Sequence, residues 1–388
     1  MSANQSVQGI ESPFSFHLPT NVQFGVGSAS RLGEMLLSMG VRRVFLVTDQ
    51  GVRQAGLLDG VIHSLEEKGL HYQIYADVEP DPSLETIQAG AAMFQVQPFD
   101  CMVAIGGGSP IDTAKGIRVL AANGGGIGQY AGVNRVPAAS AIPLIAIPTT
   151  SGTGSEVTIF GVYSDWENHV KITVTSPHMA PSTALIDPAL TLSLPAKMTA
   201  ATGIDALAHG IETFFSLRSS PASDALAIHA MKMIAPQLRR AVRDGADMEA
   251  RIGMSQGSVL AGMAFNNGFL GLAHAIGSAL SGHCHVPHGV AIGLLLPHVV
   301  AFNTPVRPEK AELIADVLGS VQKETGTAAE LVGQLVRDIG LPQRLQEVGV
   351  PEAKLVDIAK DSFKSGMMKW NPRLPTEQEV LELLQKAF

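Results

Sequence analysis

Between about residues 20 and 185, short apolar runs alternate with amphipathic segments: VRRVFLVTD, QAGLLDGVIHSLEEKG, HYQIYADV, SLETIQAGAAMFQVQ, FDCMVAIGGG, IDTAKGIRVLAAN and IPLIAIPTT. No other feature restricts the fold as much. A run that is apolar nearly throughout, such as CMVAIGGG, predicts a parallel strand covered by helices on both faces. The alternation therefore predicts βαβ units and a doubly wound α/β domain. After about residue 190 the strand pattern stops. TAATGIDALAHGIETFFS, SDALAIHAMKMIAPQLRRAV, MEARIGMSQGSVLAGMAF, KAELIADVLGSV and TAAELVGQLVRDIG carry a 3.6-residue apolar period, so the second half is expected to be all helical. The seam IDPALTLSLPAKMTA, with Pro188 and Pro195 flanking a short extended piece, reads as a linker. It sets the expected domains at 1–188 and 189–388.

With 388 residues, 46% of them hydrophobic and 16% charged, the chain can fill two cores and is not disordered. A net charge of −8 and the lack of any Lys/Arg run longer than two argue against a nucleic-acid partner, whose binding draws on clustered cations. The longest apolar stretches, such as Ala291 to Val300, contain Gly, Pro or His and fall short of the ~20 residues of a membrane span. No export signal is readable in MSANQSVQGIESP, which makes the cytoplasm the expected location. Cys101 and Cys284 give no disulfide framework and read as buried hydrophobes.

In FDCMVAIGGGSPIDTAKGI a buried strand is followed by Gly106, Gly107, Gly108 and Ser109, then by a helix with Asp112 and Lys115 in its first turns. Glycines let backbone pass close to a pyrophosphate, and the free amides and positive end of the following helix point at it. The spacing is neither G-x-G-x-x-G nor a G-K-[ST] loop. Taken alone, it favours a phosphate over the weaker alternative of a tight turn without chemical meaning. A second strand end, IPLIAIPTTSGTGSE, offers Thr149, Thr150, Ser151, Thr153 and Ser155, small hydroxyls suited to a diphosphate or a ribose. Two such loops suggest a dinucleotide. Asp49, at the end of VFLVTD, could accept hydrogen bonds from an adenosine ribose and would repel a 2′-phosphate, which favours NAD over NADP.

Asp205 and His209 stand four apart on a predicted helix, about 40° apart around its axis, so both can reach one ion. Five histidines lie between 274 and 298: His274, His283, His285, His288 and His298. One carboxylate with three imidazoles would suit Fe²⁺ or Zn²⁺. Spacing alone does not decide which histidines ligate, and those that do not are open to hydrogen-bonding, substrate-contact or solvated roles.

The segments GGGSPIDTAK, PTTSGTGSE, HVKITV, ALIDPALT, ATGIDALAHGIE, GLAHAIGS, PHGVAIGLLLPHV and NPRLPTEQEV stand in the order and approximate spacing of the iron-containing (group III) alcohol dehydrogenases. From about residue 14 to the C-terminus the chain resembles that family. The resemblance implies a dehydroquinate synthase-like architecture, with an N-terminal dinucleotide-binding α/β domain and an all-α C-terminal domain. It implies metal ligands at Asp205, His209, His274 and His288, and a pyrophosphate turn at Gly107, Gly108 and Ser109. Further implied cofactor contacts fall on Asp49, Thr149, Thr150, Thr153, Lys171 and Leu190, and Asp112 of the glycine-rich turn is counted with them. The implied activity is hydride transfer between NAD(H) and a small primary alcohol or aldehyde, with Fe²⁺ or Zn²⁺ polarising the substrate oxygen. A homodimer or larger homo-oligomer is implied as well, for which the strand segment FHLPTNVQFGVG is a candidate contact.

One position departs from the pattern. Many relatives carry another histidine four residues after the third ligand, and here that residue is Ser278. A hydroxyl relays a proton but does not hold one near neutral pH. Beside His274, the candidate relay residues are thus Ser278 itself and, as substitutes for the missing imidazole, His285 or His283. Rival readings are a glycerol dehydrogenase-like polyol or hydroxy-acid dehydrogenase, a dehydroquinate synthase-like lyase, a metal-free maleylacetate reductase-like enzyme, a non-catalytic sensor and a metal-dependent hydrolase. The complete Asp-His-His-His set argues against the metal-free reductase.

Overall fold

In the computed structural model, which describes residues 13–168, 170–322 and 324–388, the run CMVAIG is a strand buried at every residue. The stretch read for an export signal lies outside the described residues except for Pro13, as does His169 of HVKITV. The strands are β1 (Asn21–Phe24), β2 (Arg43–Asp49), β3 (His71–Val78), β4 (Cys101–Gly106), β5 (Gly132–Val133), β6 (Leu144–Pro148), β7 (Phe160–Asp165), β8 (Val170–Thr175) and β9 (Thr183–Ile186). Six form one sheet in the order β1-β9-β6-β4-β2-β3, with every pairing parallel. Side chains alternate across it, so Val44 and Leu46 of β2 enter one core while Phe45 and Val47 enter the other. The helices α1 (Leu32–Ser38), α2 (Gln50–Gln54), α3 (Asp59–Glu67), α4 (Leu84–Gln95) and α5 (Gly108–Asn123) follow in chain order. Leu32, Leu36, Val61 and Leu65 from α1 and α3 fill the first core; Ile87, Ala91, Ile111, Ala114 and Ile117 from α4 and α5 fill the second. Each fully buried Leu, Ile or Val among them contributes roughly 1.5–3 kcal/mol. Cys101 belongs to the first core, and burial pushes its thiol up to about 12.

A second sheet, β5-β8-β7, is not foreshadowed by the βαβ rhythm. Its β7–β8 hairpin is antiparallel, and the buried Tyr163 hydroxyl donates to the Asp112 carbonyl of α5 at 2.9 Å. The seam differs from expectation too. Pro188–Thr191 is a 3₁₀ turn instead of an extended piece, because Asp187 accepts the amides of Ala189, Gly27 and Ala29 at 2.9–3.0 Å.

The remaining helices are α6 (Ala196–Phe215), α7 (Pro221–Arg243), α8 (Met248–Gly268), α9 (Leu272–Cys284), α10 (His288–Asn303), α11 (Pro308–Gln322), α12 (Ala328–Asp338), α13 (Leu355–Ser362) and α14 (Glu377–Ala387). No described strand follows β9. By packing, Pro19–Thr199 and Asp244–Ser255 form one unit; residues 13–18, Ala200–Arg243 and Gln256–Phe388 form the other. One unbent described helix, His288–Val306, is long and apolar enough to cross a membrane, with 19 residues and a mean hydropathy of 1.5. Gly293, Pro297 and His298 do not interrupt it as the sequence suggested, and Ile292, Leu295, Leu296 and Val299 are buried in protein.

Candidate functional site

The α/β unit sets its two loops side by side at the sheet's strand ends. Gly106 closes β4 at φ +151°, a conformation suited to glycine, and a Cβ there would lie 2.5 Å from Pro110 Cγ. Gly107 then caps α5 in an extended conformation, and no side chain caps the helix. The Thr149 amide donates to the Gly106 carbonyl at 2.9 Å, which sets the second loop alongside the first. A Cβ on Gly107 would meet Thr150 at 3.5 Å, and one on Gly108 would meet Thr153 at 3.0 Å. Gly107, Gly108, Ser109, Thr149, Thr150 and Thr153 are thus brought together around an uncapped helix N-terminus, a fitting place for a pyrophosphate.

The other expected cofactor residues are placed differently. Asp49 Oδ1 accepts the Val52 amide at 2.8 Å and so caps α2, while its Oδ2 faces Gly106. Both oxygens of Asp112 are engaged inside the protein, by Ser155 Oγ at 2.5 Å, Lys115 Nζ at 3.3 Å and the Val162 amide at 3.0 Å. Lys171 Nζ pairs with Asp81 Oδ1 at 2.7 Å, and Leu190 packs on the first core. Lys115 is fully buried and also donates to Ser155 Oγ at 2.8 Å and to the Phe160 carbonyl at 2.6 Å, tying α5 to the second loop.

Glu156 in that loop is 2% exposed. Burial, partly offset by its own amide and by Lys115, pushes its carboxyl up from 4.5 to about 7. A group whose folded-state pKa lies above its unfolded value favours folding while protonated. That contribution is present below about 4.5 and is lost as pH rises through about 7. Glu156→Gln removes the dependence, so the Tm of the variant relative to the parent rises between about pH 5 and 8. A difference independent of pH in thermal melts would contradict the shift.

The helical unit gathers the metal candidates. Asp205 and His209 lie on α6, His274 on the first turn of α9, and His288 begins α10. Asp205 Oδ1 is 3.3 Å from His274 Nε2 and 3.7 Å from both His209 Nε2 and His288 Nε2. Donor atoms of Asp205, His209 and His274, all buried, lie within 4.8 Å of one another. His288 is one-third exposed. Asp205 Oδ1 and His274 Nε2 are buried without a hydrogen-bond partner, an arrangement costly unless an ion sits among them. Burial opposes ionisation of Asp205, yet the neighbouring His209, His288 and His274 hold its carboxyl well below the usual range. Burial brings His209 down to about 4, which keeps its ring neutral for ligation. For His274 burial is outweighed by Asp205 and Glu212, and its pKa rises to about 9.

Gly289 follows His288 because α10 starts against the backbone of α6. A Cβ there would lie 2.1 Å from the Ala201 carbonyl oxygen. Gly289→Ala should cost roughly 1–3 kcal/mol and push His288 away from Asp205, lowering both Tm and bound-metal content; an unchanged melt and metal content would refute this.

Glu212, unmarked in the sequence reading, accepts from His274 Nδ1 at 2.6 Å. The available signal was periodicity: a residue seven positions after Asp205 on a helix returns to its face within about 20°. The Ser278 hydroxyl donates to the His274 carbonyl at 2.8 Å. His285 is exposed in the left-handed position that ends α9, and His283 pairs with Asp361 at 2.9 Å.

A parallel sheet whose loops suit a dinucleotide, together with a helical unit that converges three imidazoles on one carboxylate, defines a class of proteins built to hold a nucleotide and a divalent metal. The iron-containing alcohol dehydrogenase model matches residues 19–188, and the C-terminal model of the Fe-containing alcohol dehydrogenase family matches 199–388. The chain is 39% identical to a 1,3-propanediol dehydrogenase of Klebsiella pneumoniae, over 97% of this chain and 99% of that one. It is 37% identical to an NAD-dependent methanol dehydrogenase of Bacillus methanolicus, over 96% and 100%. A crystal structure of 1,3-propanediol oxidoreductase superposes with a TM-score of 0.93 at 39% identity, covering 97% of this chain and all of that one. The chain belongs to the iron-containing alcohol dehydrogenase family. It is an NAD- and metal-dependent alcohol oxidoreductase, and the polyol dehydrogenase alternative is not favoured over it.

Proposed function

We propose that this enzyme interconverts a small primary alcohol and its aldehyde, with residues 1–188 holding NAD(H) and residues 189–388 holding the metal. The observation that carries this is the convergence of His209, His274 and His288 on Asp205 Oδ1 at 3.3–3.7 Å. The relatives named for 1,3-propanediol and methanol support a short substrate with a terminal hydroxyl, with or without a second polar group. When bound, the ion supplies Lewis-acid polarisation of the substrate oxygen and the nicotinamide supplies or accepts the hydride.

The chain's own residues bind and orient. Asp205, His209, His274 and His288 hold the ion, and Phe265, whose ring lies 4.4 Å from that of His209, walls the centre with apolar surface. Gly107, Gly108, Ser109, Thr149, Thr150 and Thr153 seat the pyrophosphate, with Asp49, Lys171 and Leu190 as further contacts. Asp112 acts through the loop it ties. Ser278, one turn after His274 on α9, is the proposed proton relay, with His285 at the exposed end of that helix as the further candidate. We place the enzyme in the cytoplasm as a homodimer or larger assembly, for which β1, an edge strand with exposed Phe24, is a candidate contact.

The test is an anaerobic preparation stripped of metal, assayed by NADH absorbance against short alcohols and aldehydes, with Fe²⁺, Zn²⁺ or nothing restored. Activity only with NAD and metal together is expected. Activity without restored metal, or none with any short alcohol or aldehyde, would overturn the reading.

A further inference from the structure

We propose that Glu212 is the positioning residue that sets the orientation and proton of His274, and with them the metal affinity of the site. The inference rests on the reading of His274 as a ligand. Helix α9 has no cap of its own: Gly271 precedes it and offers no side chain. Two remote residues take the exposed amides instead. Glu212 Oε1 accepts from Ala273 N at 2.6 Å, and its Oε2 accepts from Gly271 N at 3.2 Å and His274 N at 3.4 Å. Asn371 Oδ1, in the closing NPR segment, accepts from Leu272 N at 3.3 Å. A Cβ on Gly271 would lie 2.9 Å from Asn371 Oδ1 and 3.2 Å from Glu212 Oε1, so the glycine is what admits both caps.

Glu212 alone also touches the ring. Its Oε2 lies 2.6 Å from His274 Nδ1, while His274 Nε2 faces Asp205. Both Glu212 oxygens accept backbone amides, so Oε2 is the acceptor and Nδ1 the donor, and an ion taken up beside Asp205 displaces the proton that Nε2 otherwise holds. Glu212 is 2% exposed and lies on α6, the helix of Asp205 and His209. One helix thus supplies two ligands and the residue that aims a third. His209 Nδ1, by contrast, is buried without a hydrogen-bond partner. A carboxylate on Nδ1 thus distinguishes His274 from His209.

Glu212→Gln separates the two roles. With its amide oxygen on Ala273 N, its N–H donors face Nδ1 and oppose the metal-ready tautomer; with the oxygen on Nδ1, the carboxylate charge that strengthens that bond is lost. Zinc affinity, read by chelator competition, is expected to fall about 10–100-fold. Asn371→Ala removes a cap without touching the ring, and should lower Tm while leaving zinc affinity within about threefold. Equal effects of the two variants on zinc affinity, or none from Glu212→Gln, would overturn the inference and leave Glu212 a helix cap. His274→Ala tests the underlying reading: if it binds zinc as the parent does, His274 is not a ligand and that reading fails. If it loses zinc and Glu212→Gln does not, only the role of Glu212 falls. Should Glu212→Gln not fold, ring ¹⁵N shifts of the zinc-loaded parent decide. An exchange-protected proton on His274 Nδ1 upholds the assignment, and its absence refutes it.

Discussion

Asp205→Asn should lower alcohol-dependent NADH formation by at least about 10²-fold and leave the protein with little bound iron or zinc. Asp205 is the hub of the centre: its Oδ1 is the atom that all three imidazoles approach within 3.7 Å. It is also the one anionic member of the set, and a divalent ion taken out of water needs charge compensation as well as donors. An amide keeps the shape and one neutral acceptor, but it removes the charge and turns a donor toward imidazoles that must present lone pairs. NADH binding should be unaffected, because the glycine and threonine loops belong to the other packing unit. Metal analysis and NADH fluorescence on one preparation check both halves. If Asp205→Asn retains metal and turnover, the ligand set is wrong.

Why some of this was readable follows from the range of the interactions. CMVAIG and LIAIP are central parallel strands buried on both faces, so burial alone dictates their composition and a local window suffices. The pair Asp205 and His209 is local too, four residues apart on one helix. The β5-β8-β7 sheet was not legible: β5 has two residues, and the β7–β8 hairpin is held partly by the contact between Tyr163 and Asp112 far upstream. The turn at Pro188–Thr191 depends on Asp187 collecting amides from Gly27 and Ala29, about which the seam itself carries no information. Glu212 was hidden differently. A glutamate late in an amphipathic helix reads as a solvated face unless its seven-residue offset from Asp205 is weighed, and the arrival of α9 at its carboxylate shows what that offset places there. Even the family resemblance, which singled out the ligand candidates, did not reach the residue behind one of them.

Gly107→Ala should weaken NADH binding about tenfold or more, a loss of about 1.4 kcal/mol or greater, while barely altering stability. The two effects separate because of what surrounds this glycine. Its φ of −77° suits any residue, and an added Cβ would sit in ordinary contact with Thr150 at 3.5 Å. The protein therefore has room for the methyl. Replacing a glycine N-cap with alanine costs roughly 1 kcal/mol or less, which for a chain of this size shifts Tm by only about 1 °C. A pyrophosphate resting on the α5 amides would instead meet the methyl on its approach. Gly106→Ala gives the contrast. There the backbone lies at φ +151° and the Cβ would fall 2.5 Å from Pro110, so the fold suffers along with binding. A Gly107→Ala protein with parental Tm and parental NADH affinity would show that no phosphate approaches this turn. One with parental Tm and weakened NADH affinity would locate the pyrophosphate at the start of α5, without recourse to catalytic activity.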